Sequence, residues 1–242
     1  MALTEHDYIV VFRVQLSTVI DAATIKFPPP VSADVWRFGP ENVHLDENGF
    51  PNYQSNIWGG IAIYKDYEAA KNDALNPRLA SPVFENTKEC WSALLLPIAH
   101  KGDVYWREHI ESSCAIKTAQ DDPGGQLAVI TSAGFNSQTE DQFAKISKFT
   151  TSAEQIRKDF QASSNNLKSS TFYAMHDLLD GITFTLWQSD KDMLNAAYGK
   201  GLHGDLIKSH SRSPMVDRIS NTRARILLST GTWGGNDPLI KK

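Results

Sequence analysis

The chain has 242 residues, with 24 Lys and Arg against 28 Asp and Glu, a formal charge of −4. Apolar residues at 41% and charged residues at 21% fit an ordinary folded protein and exclude a disordered, collagen-like or low-complexity chain. The mild acidity leaves no electrostatic footprint for nucleic acid, and the longest apolar runs, Tyr8–Phe12 and Ala93–Ala99, fall far short of the ~20 residues of a membrane helix. Tyr8–Leu16 (YIVVFRVQL) is rich in β-branched and aromatic residues and reads as the first strand. Weak helical spacing over Thr18–Lys26 stops at Pro28-Pro29-Pro30. A polar stretch with Gly and Pro then runs to Ser55, before a strand at Ile57–Tyr64. Asp66 is placed to cap a helix through Glu68–Leu75, which Asn76-Pro77 ends. Ser81-Pro82 opens a short helix, and Ala93–Ile98 reads as a third strand.

Lys101–Gly125 is polar, ends in Asp121-Asp122-Pro123-Gly124-Gly125, and reads as a connection between halves. The order then begins again. Leu127–Ser132 reads as a strand and Phe143 and Ile146 are helically spaced. Ser152-x-x-Gln155 fits a capping box ahead of Ile156 and Phe160. Ile182–Trp187 alternates as a strand does, Ser189-x-x-Asp192 caps a helix through Met193–Tyr198, Ser213-Pro214 opens another short helix, and Ala224–Leu228 closes as a strand. The segment Ser81–Leu96 echoes Ser213–Leu228, and each is followed by a glycine and a tryptophan, Gly102 with Trp106 and Gly231 with Trp233. Strand–helix–strand–strand–helix–strand is the ferredoxin-like order. The expected fold class is therefore α+β, a duplicated ferredoxin-like repeat with one copy in residues 1–125 and one in 126–242. Two antiparallel sheets face to face, a dimeric α/β barrel with outer helices, would enclose an apolar space suited to a ligand. Two unrelated α+β lobes are the alternative.

Catalytic signatures are scarce. There is no G-x-G-x-x-G after a strand, no P-loop, no H-E-x-x-H and no G-x-S-x-G. Cys90 and Cys114 make neither a disulfide framework nor a C-x-x-C, and read as a buried small residue and a loop thiol. The start, MALTEHDY, has no basic n-region or apolar stretch of a signal peptide, so a cytoplasmic location is expected. Of the seven histidines, His6, His44, His100, His109, His176 and His210 sit in contexts where a surface or loop role is the default. His203 differs, because Gly199, Gly201 and Gly204 crowd the helical stretch around it at about 1 kcal/mol each relative to alanine. Close approach of a bulky planar ligand would offset that cost, with a neutral imidazole holding a haem iron from one side. A helix that breaks at Gly199-Gly201, with His203 as a cap or surface residue, explains the same spacing. A mononuclear site of His176 with Asp177 or Asp205 matches no defined pattern. Trp58, Trp91 and Trp187 read as core, and Trp233 as part of a turn that folds the tail over the sheet.

The run from Met193 (MLNAAYGKGLHGDLIKSHSR) through RARILLSTGTWGGNDPL resembles the end of spheroidene monooxygenase and its relatives, haem-containing oxygenases of carotenoid biosynthesis. The shared features are Tyr198, Gly199, Gly201 and His203, then Arg223 and Arg225, then Gly231, Thr232, Trp233, Gly235 and Pro238. SPVF (Ser81–Phe84), Glu89-Cys90-Trp91 and ITFTLW (Ile182–Trp187) are similar too, so the likeness covers two blocks, Ile57–Trp106 and Ile182–Leu239. Asp180-Gly181 stands where the family often has His-Gln, and Phe27–Ser55 has no counterpart. The resemblance implies haem b bound through His203 as axial ligand, whose other ring nitrogen donates to a carbonyl or carboxylate. It implies an oxidoreductase, a haem-dependent monooxygenase that uses O2 or peroxide, with a reductase as a further partner, on a hydrophobic small molecule of secondary or pigment metabolism. Arg225, His210 and His176 are then candidates for distal or propionate contacts. A haem lyase of the aldoxime dehydratase type, a non-catalytic haem- or ligand-binding protein, and a cofactor-free oxygenase are the alternatives. The repeat satisfies the sheet pairing alone, and a homodimer is the other arrangement.

Overall fold

The structure is a computed structural model that describes residues 6–21, 35–41, 46–48, 54–76, 87–102, 104–105, 113–137, 139–163, 166–173, 180–199, 201–210 and 214–240. In chain order the elements are β1 (Tyr8–Asp21), β2 (Val35–Pro40), β3 (Gln54–Tyr64), α1 (Tyr67–Leu75), β4 (Thr87–Gly102), β5 (Val104–Tyr105), β6 (Ser113–Cys114) and β7 (Leu127–Gly134). There follow α2 (Glu140–Ala162), β8 (Asn166–Tyr173), β9 (Asp180–Trp187), α3 (Asp190–Tyr198), α4 (Leu202–His210) and β10 (Arg218–Gly231).

Eight strands form one antiparallel sheet in the order β2-β3-β1-β4-β10-β7-β9-β8, and β5 pairs with β6 apart from it. The two facing sheets expected from the sequence are therefore one continuous sheet. Their join is the long ladder of β4 with β10, from Gly102 opposite Ser220 to Trp91 opposite Gly231. Outward from that join the order is β4-β1-β3-β2 on one side and β10-β7-β9-β8 on the other. The edge strands β2 and β8 come against each other. No ladder joins them among the described residues, so the curled sheet is not closed by hydrogen bonds.

Alternation along the strands decides what lies inside the curl. Ile9 and Val11, Ile61 and Ile63, Trp91 and Leu95, Ile130, and Ile182 and Phe184 bring both halves into one cluster. Each such side chain stabilises the fold by roughly 1.5–3 kcal/mol through burial. On the outer face, Ala70 and Ala74 of α1 cover Val10, Ala62 and Leu94. Phe160 of α2 with Met193 and Ala197 of α3 cover Leu127 and Trp187.

Short-range capping works as the sequence implies. The Asp66 carboxylate accepts from the Ala69 amide at 2.7 Å, and Ser189 Oγ accepts from the Asp192 amide at 3.2 Å. Other expectations are corrected. Thr18–Asp21 is strand rather than helix, because Ile20 and Asp21 pair with Ser55 and Gln54 of β3. Ser152 does not start a helix: α2 runs unbroken through it, and its apolar face at Ile146, Ile156 and Phe160 was already established. Residues 214–217 are not helical, because the Asp217 amide donates to the Gly134 carbonyl and its carboxylate accepts from Asn136 as the chain enters β10. Cys114 lies in a short strand rather than a loop. Strands β2 and β8 are additions. The expected helix at Ser81-Pro82 and the turn tryptophan Trp106 lie outside the described residues.

Candidate functional site

The glycine-rich segment after α3 turns the chain back into α4. Gly201 sits at φ +148°, which side chains rarely adopt, and a Cβ on Gly204 would stand 2.5 Å from the Gly199 carbonyl oxygen. The cost of these glycines is thus offset by the close packing of one helix start on the preceding helix end, without a ligand. His203, in the first turn of α4, reaches back so that its Nδ1 lies 2.9 Å from the Ala197 carbonyl oxygen. A carbonyl oxygen only accepts, so Nδ1 carries the proton and supplies one of the bonds that a helix C-terminus lacks. The ring stands edge-on to Phe160 with centroids 5.1 Å apart, and Phe160 in turn packs edge-on against Trp187 at 5.3 Å. Burial lowers the imidazole pKa against the opposing effect of the Ala197 bond. The ring is therefore neutral near pH 7. Its Nε2 keeps a lone pair that no described residue engages.

The other sequence candidates do not gather around this imidazole. Arg225 Nε is 2.7 Å from Asp122 Oδ1, and Nη1 is 2.7 Å from Asp190 Oδ2 and 3.0 Å from the Gly125 carbonyl. Its charge ties the glycine-rich connection to the start of α3. His210 ends α4 and its side chain lies outside the described residues, as do His176 and Asp177 entirely. His44 and His109 are outside them too, and His6 packs edge-on against Tyr8 at 4.8 Å. Among the described residues no three His, Cys, Asp or Glu side chains form a metal cluster. Burial pushes the Cys90 thiol up to about 11, which makes it a packed thiol rather than a nucleophile.

A buried charge cluster escaped the sequence reading. Arg13 Nε lies 2.6 Å from Glu41 Oε2 and Arg13 Nη1 lies 3.3 Å from Glu89 Oε2. The guanidinium stands 5.0 Å over the Trp233 ring. Glu41 follows edge strand β2, and Ser170 of the opposite edge strand β8 is near enough to act to lower its pKa. Burial raises the Glu41 pKa ahead of the lowering influence of Arg13. Burial also acts to raise that of Glu89. The Gly235 and Gly234 amides, the Thr232 hydroxyl and Arg13 outweigh it, so the net shift is downward. Gly235 N, Gly234 N and Thr232 Oγ1 lie 2.5, 2.9 and 3.0 Å from the carboxylate, and their turn carries Trp233 to 5.4 Å from Trp91 and 6.4 Å from Phe184. The tail folds back as the sequence implied. A lone charged residue in YIVVFRVQL, on the same face of the strand as Ile9 and Val11, was the available signal for this cluster.

No family model matches the chain and no curated relative matches it, so the likeness to the spheroidene monooxygenase family rests on the quoted motifs alone. Solved structures do match. An aldoxime dehydratase in complex with butyraldoxime is 9% identical over 92% of this chain and 80% of its own, with a TM-score of 0.55. A second aldoxime dehydratase structure is 8% identical over 92% and 82%, with a TM-score of 0.54. A protein from Fusobacterium nucleatum provisionally named a monooxygenase is 15% identical over 96% and 97%, at a TM-score of 0.39. The chain shares its fold with the aldoxime dehydratases: an α+β architecture built on a large antiparallel sheet.

Proposed function

We propose that the chain is a haem-dependent monooxygenase for a hydrophobic small molecule, with His203 as the axial ligand of haem b. The observation that carries this reading is the seat of the His203 ring: fixed through Nδ1 by the Ala197 carbonyl, with burial favouring its neutral form, and engaged at Nε2 by no described residue. Those are the requirements for a coordinating imidazole with its supporting hydrogen bond. The hairpin also leaves apolar surface uncovered beside it, with Tyr198 64%, Leu202 38% and Ile207 37% exposed, which suits the face of a macrocycle. Bound haem would supply activation of O2 or peroxide, and the chain would hold the group, shield it and shape the apolar pocket. Matching strand orders on the two sides of the β4–β10 join support reading residues 1–125 and 126–242 as two copies of one unit.

A second reading, a dehydratase acting on an aldoxime, is favoured by the fold shared with a structure that holds butyraldoxime. Reconstitution with haem b tests the cofactor. The expected result is a Soret band that is lost in His203→Ala while the far-UV circular dichroism stays native. A band that survives the substitution, or none in the wild type, overturns the reading. Turnover that consumes O2 or peroxide and a reductant separates oxygenation from loss of water.

A further inference from the structure

His203 is steadied by elements other than its own. Of the α4 residues whose burial is described, Gly204 alone is buried, so this helix has little packing of its own with which to hold the ring. The Ala197 carbonyl of α3 accepts from Nδ1 at 2.9 Å. A carbonyl oxygen accepts over a broad range of directions, so this bond fixes the proton on Nδ1 and leaves the tilt of the ring open. His100 shows the difference that partner chemistry makes. It stands opposite Thr222 on the inward face of the sheet, two positions along β10 from the core residue Ala224, with its Nδ1 2.9 Å from the threonine hydroxyl. A hydroxyl donates or accepts, so that bond imposes neither tautomer.

The second constraint on His203 comes from α2. Phe160 is buried in the last turn of that helix, and its ring meets the imidazole at 5.1 Å with the two planes 73° apart. The same ring meets Trp187 at 5.3 Å and 78°. Trp187 is itself fixed, for it is fully buried and its Nε1 donates to Thr185 Oγ1 at 2.8 Å. Phe160 therefore cannot turn without disturbing a tethered indole, and the imidazole plane is set against a ring that is itself set. The lone pair of Nε2 lies in the imidazole plane, so that plane decides where the coordinating nitrogen aims. We infer that Phe160 is the positioning residue of this site: its ring fixes the plane of the His203 imidazole, as the Ala197 carbonyl fixes its proton. What Nε2 coordinates rests on the haem reading, whereas the seating of the ring does not.

Nitrogen-15 NMR of the full chain, before any haem is added, reads the tautomer of each histidine. Wild-type His203 is expected to show one tautomer, with Nδ1 protonated. In Phe160→Leu the share of the other tautomer should rise roughly two- to tenfold, the worth of one edge-on aromatic contact. Ile156→Val thins the same apolar cluster one turn earlier and should leave the His203 tautomer where it was, and the His100 signals should not move in either variant. Phe160→Met serves as the second variant should Phe160→Leu fail to fold. Titration of the same proteins with haem b should show binding weakened by a similar factor in Phe160→Leu and unchanged in Ile156→Val. A mixed tautomer in the wild type, a tautomer unmoved by loss of the Phe160 ring, one moved as far by Ile156→Val, or equal haem affinity in wild type and Phe160→Leu overturns the proposal. A tautomer shift in Phe160→Leu together with no haem binding by the wild type upholds the seating of the ring and overturns the haem reading alone.

Discussion

At the scale of single residues, charges on this chain are spent on tying segments together. Arg225 is 6% exposed at its side chain and takes both Asp122 and Asp190. Its hydrogen bonds hold the Asp122 carboxyl down at about 2, from an ordinary 3.8. A carboxyl with a depressed folded-state pKa stabilises the fold fully above its unfolded value and loses that contribution as pH falls through the folded one. Asp122→Asn should therefore lower the melting temperature by a constant amount from neutral pH down to about 4, with the gap closing toward pH 2. Because Asp122 is 44% exposed, solvent screening keeps that gap small. A gap that stays constant to pH 2 in a series of thermal melts would remove the pair from the stability of the fold.

Among the elements, the α3–α4 hairpin decides whether His203 is presented at all. Propensity alone says that Gly204→Ala stabilises a helix by about 1 kcal/mol. The Gly199 carbonyl 2.5 Å from the site of that Cβ says the opposite, and overpacking of this kind costs roughly 1–3 kcal/mol. We expect the substitution to destabilise, with amide exchange rising over residues 190–210 and the central strands unchanged. A stabilised variant would show that the hairpin has room to give. Caps at Asp66 and Ser189 were legible because each is a contact with an amide three residues along the chain. Ser152-x-x-Gln155 has the same local form and caps nothing, since a helix was already running through it. The edge strands were the least legible. β8 (NLKSSTFY) buries hydroxyls such as Ser169 and Ser170 against a seam that only folding creates, so its burial leaves no apolar period.

Across the whole molecule, one side chain from the tail closes a core to which both halves contribute. Trp233 is 6% exposed between Trp91 of the first half and Phe184 of the second. Its replacement by alanine should cost about 3–5 kcal/mol, and the loss should fall on a single cooperative transition of the entire chain. Two separated transitions by calorimetry would mean that the halves fold independently despite the β4–β10 ladder. By itself the sequence determined what short-range physics writes: the central strands, the two caps, the tail turn, and an imidazole among glycines. Those features are legible because alternation and capping are read within a few residues. Only the tertiary structure decided that the strands form one sheet, that Arg13 meets Glu41 and Glu89, and that His100 turns inward. Those outcomes depend on which strands meet across long intervals, such as the 122 residues between His100 and Thr222, and no local period encodes such a meeting.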